Sequence, residues 1–331
     1  MNYENYEFFQ IEKEGSVLIA RLTRPKVNAL SEDVFKELQS IVDAANADSD
    51  VISVVIASGL PNLFTVGADL KELVNKYSSC PEEAINNLNI GHATFKMIEK
   101  SPKPFIIAMK GISYGGGIEL ACACDIRIAA EDAKFAMPET RIGFIPGYGG
   151  TQRLPRLIGL GAAKKLVMTG EPMTAKEALR VGLIDEITPI DGEIQRAIEI
   201  AEFIAKGAPK STAFAKRSLN EGESMSLDIA LEHEKSMFMR NIETDAWMEG
   251  LFGFIQKRPP VFERVGVTAL KHEDITVEYI EEAEEVPLFP TLICISGLYH
   301  LMQAAMNGTM LKNQKVLENS SSFFNLMEIE A

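Results

Sequence analysis

Residues Gly111 to Arg153 read GISYGGGIELACACDIRIAAEDAKFAMPETRIGFIPGYGGTQR, and most of the chemistry legible in this chain lies there. Gly115, Gly116 and Gly117 stand between an apolar strand and a helix expected over Ile118 to Cys122. Three residues without a Cβ leave backbone amides at a helix start open to a ligand, and such amides can stabilise an oxyanion. A close-packed turn that needs three glycines accounts for the triplet equally well. Glu119 falls in the first turn of the expected helix, where the dipole favours a carboxylate. Glu139 follows Pro138, whose ring favours an extended approach in the residue before it. Two carboxylates meeting at a polarised carbonyl compound can deliver and remove protons on one face of a substrate. A solvated surface glutamate is the commoner state of any single Glu, and spacing alone does not choose between the two.

Outward from this segment the chain alternates strands and helices. Phe8 to Arg21 reads as two strands around a turn at Glu14-Gly15. Ser31 is placed to cap a helix whose apolar stripe is Val34, Phe35, Leu38, Ile41 and Val42. The short apolar runs Val51 to Ala57 and Phe105 to Met109 have the length and composition of buried parallel strands, and Asp125 to Ala130 is a third strand. Gly143 to Gly150 is loop-rich. Thr174 and Glu177 form a capping box for a helix that Gly182 closes, and Ile194 to Ala205 repeats its apolar residues at helical spacing. Gly207 and Pro209 end that element, after which residues 211–256 are mainly helical up to Pro259-Pro260. This alternation predicts an α/β fold.

The 331 residues carry 33 Lys plus Arg against 47 Asp plus Glu, a net charge of −14. That balance opposes binding to phosphate backbones, so no nucleic-acid partner is expected. Half of the surplus sits in residues 266–331, where 3 Lys face 10 acids. Within that extension the apolar stretch from Val286 to Met306 is broken by Pro287, Pro290, Gly297, His300 and Gln303, too short for a membrane span of roughly 18 or more residues. The cysteines Cys80, Cys122, Cys124 and Cys294 form no metal-binding spacing, and His92, His233, His272 and His300 are scattered, so no metal is expected. The loop Gly147 to Gly150 lacks the strand, GxGxxG and helix order of a dinucleotide site. The N-terminus has acids where a secretory signal needs a basic start, and the cytoplasm is the expected location.

Taken together, GxxxGGGxEL, CDIRIAAEDAKFAMPE and GxxPGYGGTQRLPRLIG resemble the crotonase superfamily, in particular its enoyl-CoA hydratase branch. RPKVNALS at Arg24 to Ser31, FTVGADLKEL at Phe64 to Leu73 and LVMTGEPMTAKEALRVGLIDEI at Leu166 to Ile187 match in family order. The resemblance covers about residues 5 to 265. It implies a crotonase-like ββα spiral core over 1–195, a helical trimerisation region over 196–265, and an acidic extension of unassigned role over 266–331. The assembly it implies is a homotrimer or a dimer of trimers.

It also implies an activity, the reversible hydration of a 2-enoyl-CoA to a 3-hydroxyacyl-CoA with no cofactor beyond the CoA thioester itself. Ala68 and Gly116 match the two amides of the family's oxyanion hole, Glu119 and Glu139 its two carboxylates, and Gly147 an amide beside the catalytic water. Lys26, Val27, Ala68 and Lys71 match CoA contacts, and Lys257 or Arg258 a basic patch that reaches a neighbouring subunit's CoA. Isomerases of the family typically keep only the second glutamate, so the pair favours a hydratase. Another crotonase reaction on a branched, dicarboxylic or alicyclic acyl-CoA, or an isomerase with an extra Glu, is the alternative. A scaffold role through the extension is a third. Met137 stands where this branch often has Gln, and Ile118 where it often has Cys.

Overall fold

The computed structural model describes residues 3, 6–80 and 82–262, and the extension over 266–331 lies outside them. Two sheets organise the chain. Among the described residues the larger has six strands and the smaller four. Strands β1 (Phe9–Glu14) and β2 (Val17–Leu22) form the antiparallel hairpin expected at Glu14-Gly15, and β2 then pairs in parallel with β3 (Ser53–Ser58). The helix expected from Ser31 is α1 (Glu32–Ala47), with the Ser31 hydroxyl accepting from Val34 N and all five stripe residues buried.

The sequence then makes repeated turns, each laying one strand on the large sheet and the next on the small one. In the first turn β3 is followed by β4 (Leu63–Thr65) and by helices α2 (Leu70–Ser79) and α3 (Glu83–Lys100). In the second, β5 (Phe105–Met109) and β6 (Ile112–Tyr114) lead into α4 (Gly116–Ala123). The third sets β7 (Ile126–Ala130) and β8 (Lys134–Ala136) before a 3-10 turn over Pro138–Ile142 and then α5 (Gly150–Ile158) and α6 (Leu160–Thr169). Parallel pairing of β3, β5 and β7, and of β4, β6 and β8, requires a crossover connection between each turn and the next. The result is the ββα spiral that the motifs imply. Because β3 and β5 are covered on both faces, every residue in them is buried, which is why they read as continuous apolar runs rather than alternating ones.

The short strand β9 (Met173–Thr174) closes the small sheet, and α7 (Ala175–Val181) starts on the Thr174 cap and stops at left-handed Gly182. Strand β10 (Glu186–Thr188) completes the large sheet. Helix α8 (Glu193–Ala205) packs Ala197, Ile198 and Ala201 on the sheet face formed by Val17, Ile19, Val55, Ala57, Ile106 and Ala108. The expected division at residues 195 and 196 therefore runs through a helix that covers the core sheet. Pro209, expected as a terminator, is also the first residue of α9 (Pro209–Gly222), where its missing N–H costs nothing. Helices α10 (Leu227–Ile242) and α11 (Ala246–Ile255) follow. Lys216 of α9 fastens this helical region to the core: its ammonium donates to Ile98 O and Lys103 O, each at 3.0 Å, and to Asp125 Oδ2 at 2.7 Å.

Candidate active site

The site forms where the first turns of the spiral meet, and backbone geometry places its amides. Asn28, at φ 52°, is fully buried and donates from its side-chain amide to Leu22 O (3.0 Å) and Phe64 O (2.9 Å). That pins the strand-like segment after Lys26 and Val27 against β4. Leu30 then bridges in parallel with Ala68: Leu30 N donates to Gly67 O at 2.8 Å and Asp69 N to Leu30 O at 3.0 Å. In such a bridge the partner's bonds go to the flanking residues, so the N–H of Ala68 itself turns to the other side. Gly116 lies on that side. A Cβ on Gly67 would come within 3.0 Å of Gly116 N, and one on Gly116 would lie 3.7 Å from Ala68 N. The start of α4 and the residue after Gly67 thus hold their amides together, and Gly67 must be a glycine both for its φ of 91° and for this approach.

Asp69 caps α2, accepting from Lys71 N at 3.0 Å and Glu72 N at 3.2 Å, and its other oxygen pairs with Arg24 at 2.6 Å. Arg24 also donates to Ala29 O, so one guanidinium ties the segment around Lys26 and Val27 to the start of α2. Lys26, Val27 and Lys71 are exposed along this edge.

Glu119 is 1 % exposed, one turn into α4. Its Oε1 accepts from Tyr148 N at 2.8 Å and Gly150 N at 2.7 Å. Burial pushes its carboxyl up to about 7, with the Gly150 amide opposing, the Glu139 charge adding to the rise, and the Tyr148 amide and Arg153 opposing. Glu139, in the 3-10 turn, reaches the same place: its Oε1 would lie 2.8 Å from a Cβ on Gly115. Burial also raises its pKa, against a hydrogen bond from its own backbone N–H, and its Oε2 is buried without a protein partner. Neither carboxylate is the solvated surface group that a single Glu usually is.

The loop that grips Glu119 is itself gripped from α3. Tyr148 is buried, packs edge-on to Phe35 and Phe95 with ring centroids 4.9 and 6.3 Å away, and donates its hydroxyl to Asn87 Oδ1 at 2.7 Å. Tyr77 of α2 donates to the same oxygen at 3.3 Å. Arg153 donates to Tyr148 O at 3.1 Å while it pairs with Glu99. Asn87, Gly91, Glu99, Tyr148 and Arg153 have no place in the sequence-level site. Their signal is the helical spacing of Leu88, Gly91, His92 and Phe95, all of which touch Gly147 or Tyr148.

The remaining expected positions divide. Gly147 is within this loop. Lys257, at φ 54°, and Arg258 lie just past α11, which packs on α9 and α10, and Arg258 is committed to a two-pronged pair with Glu249 at 2.6 and 2.9 Å. That pair holds the Glu249 carboxyl down at about 2, helped by the Val261 amide. Cys122 and Cys124 sit at the end of α4 with burial raising both thiols, Cys122 to about 12. Among the described residues no three His, Cys, Asp or Glu side chains are grouped to hold a metal, and no helix is long and apolar enough to cross a membrane.

Residues 12–265 match the family described as "Enoyl-CoA hydratase/isomerase". The chain belongs to the enoyl-CoA hydratase/isomerase, or crotonase, family. A short-chain-enoyl-CoA hydratase from Clostridium acetobutylicum is 37% identical over 249 residues, which cover 75% of this chain and 94% of that protein. A mitochondrial methylglutaconyl-CoA hydratase from Mus musculus is 37% identical over 257 residues, 76% of this chain and 81% of that one. Among solved structures, an enoyl-CoA hydratase from Bacillus anthracis superposes with a TM-score of 0.75 at 37% identity, covering 78% of this chain and all of that one. The crotonase-family chain described here is a hydro-lyase of the enoyl-CoA hydratase type, acting on an acyl-CoA. The cytoplasmic location expected from the N-terminus is corrected by these relatives, since the mouse protein and others of similar identity are mitochondrial.

Proposed function

We propose that this chain is an enoyl-CoA hydratase that adds water reversibly across the 2,3 double bond of a 2-enoyl-CoA to give a 3-hydroxyacyl-CoA. The observation that carries the proposal is the pair of carboxylates, buried Glu119 and partly buried Glu139, meeting beside the amides of Ala68 and Gly116. In this mechanism the thioester oxygen accepts from both amides. Attack of water on the β-carbon turns the conjugated thioester into an enolate, and each fixed amide aimed at the developing charge is worth roughly 3 to 4 kcal/mol of activation energy.

Glu119, as the carboxylate, takes a proton from the water whose oxygen bonds to the β-carbon. A base whose pKa is about 7 combines a usable carboxylate fraction with enough basicity to take that proton at neutral pH. Glu139, in the protonated form that burial favours, gives its proton to the α-carbon as the enolate collapses. Solvent exchange then restores both groups. Gly147 supplies an amide to the attacking water. Lys26, Val27, Ala68 and Lys71 bind the CoA along the exposed edge, and Lys257 reaches the CoA of a neighbouring subunit in a homotrimer or dimer of trimers. With Arg258 engaged by Glu249, Lys257 is the stronger candidate for that contact. Exposed Leu227, Leu231 and Phe238 recur at helical spacing on α10 and supply an apolar face for such assembly.

A specialised acyl group is the second reading, favoured by the similarity to a methylglutaconyl-CoA hydratase. A panel of purified CoA esters tests both, followed by loss of the conjugated thioester's ultraviolet absorbance. Crotonyl-CoA consumed with the highest kcat/KM supports the simple enoyl substrate. Preference for a branched dicarboxylic enoyl-CoA moves the assignment to the specialised reaction. Conversion of 3-enoyl-CoA to the conjugated ester, with no hydration of any 2-enoyl-CoA, overturns hydratase function in favour of an isomerase.

A further inference from the structure

Two amide N–H groups hold Glu119, and each belongs to a peptide unit whose carbonyl end is also occupied. For the Gly149-Gly150 unit, Gly149 O accepts from Gln152 N at 3.0 Å and Arg153 N at 2.8 Å, bonds that come free with the first turn of α5. For the Gly147-Tyr148 unit no secondary structure does this. Instead Gly147 O lies 2.8 Å from Nε2 of His92, on the face of α3 that also carries Leu88, Gly91 and Phe95. A carbonyl oxygen can only accept, so Nε2 carries the hydrogen whenever this bond is made.

We propose that His92 is a positioning residue for Glu119, acting through the Gly147-Tyr148 peptide by donating a ring N–H to one end of the amide whose other end donates to the carboxylate. The inference rests on the hydratase reading of Glu119 as the base. Its physical basis is cooperativity: a donor on the carbonyl polarises the amide and strengthens the bond from its N–H by about 10 to 30%. His92 also fixes the rotation of a peptide flanked by glycine, which no ladder bond restrains. Both effects favour the carboxylate form of Glu119. The other charged groups around that carboxylate are Glu139 from the 3-10 turn and Arg153 from α5, itself paired with Glu99 of α3. His92 is exposed, so water competes for its hydrogen bond and the effect of losing it is a few-fold.

The test compares His92→Leu, which removes the donor, with His92→Gln, which keeps a side-chain N–H at similar reach. His92→Leu is expected to lower kcat for crotonyl-CoA hydration about three- to tenfold, leave KM unchanged, and move the acidic limb of the kcat/KM profile to higher pH. His92→Gln is expected to restore most of kcat. Infrared titration of the Glu119 carboxyl, identified by difference against Glu119→Gln, reads the same shift without any substrate. It separates failure of this proposal from failure of the hydratase assignment. An unmoved carboxyl pKa in His92→Leu overturns the proposal whether or not the wild type hydrates crotonyl-CoA. So does a matching loss in His92→Leu and His92→Gln, which would make the ring's packing, not its donor, the source of the effect.

Discussion

Glu119 shows how strongly one residue's environment is specified. A carboxylate 1 % exposed is costly, and two backbone amides with the Arg153 charge offset only part of that cost, since its carboxyl still rises to about 7. Raised folded pKa means that the native protein binds more protons than the unfolded chain between about pH 4.5 and 7. Stability therefore falls as pH rises through that window. Glu119→Gln removes the charge that causes the loss. It should stabilise the fold at pH 8 by of the order of 2 to 3 kcal/mol relative to wild type, with the advantage vanishing at about pH 3.5, below both pKa values, where Glu119 is largely neutral in both states. Urea denaturation of both proteins at the two pH values measures this, and an equal difference at both would contradict the burial assigned to the side chain. With Glu119 as the proposed base, the same titration gives wild-type kcat/KM an acidic limb near pH 7, below which that carboxylate is protonated.

At the scale of elements, the strands and capped helices were legible because their signals are local. Ser31 and Thr174 cap α1 and α7 where the side-chain oxygen predicts, and the VISVVIA and FIIAM runs are strands buried on both faces. Helices α2, α3, α5 and α6 were not assigned, although α3 is the element that clasps the site. Its face is built from Asn87, Gly91 and His92 as much as from apolar residues, so a hydrophobic periodicity passes over it. Gly91 illustrates the conflict. Glycine in the middle of a helix costs about 1 kcal/mol relative to alanine, so Gly91→Ala would ordinarily be stabilising. Here an added Cβ would overlap the buried Tyr148 ring. Overpacking costs about 1 to 3 kcal/mol and wins, so Gly91→Ala should lower Tm and, by moving the Tyr148 amide off Glu119, lower kcat as well. A more stable and fully active Gly91→Ala would show that the Tyr148 ring can move without disturbing the carboxylate.

For the whole molecule, the motif order carried the spiral fold, but not how far the core extends. Ile194 to Ala205 reads as a helix from its apolar spacing, yet only the packed structure joins it to the large sheet. The candidate site was legible where residue type alone suggests chemistry, at Glu119, Glu139 and the glycines. It was illegible where a tertiary contact does the work, as at Tyr148, Arg153 and Asn87, because their partners lie 29 to 61 residues away in sequence. The apolar side chains left exposed on α10, together with Phe254 and Val261 near the end of the described chain, predict assembly through the helical region. Sedimentation equilibrium should return three or six times the 36.4 kDa chain mass, and a monomer at micromolar concentration would remove the neighbouring subunit from the proposed CoA site.

In the proposed reaction two carboxylates share the hydration of one double bond, one taking a proton from water and the other giving one to the α-carbon. Steady-state hydration of crotonyl-CoA by wild type, Glu119→Gln and Glu139→Gln tests it most directly. Loss of a general acid or base typically costs about 10²- to 10⁴-fold, so each variant should lose at least about a hundredfold in kcat while the far-ultraviolet spectrum stays that of the wild type. Wild-type-like turnover in both variants would contradict the account.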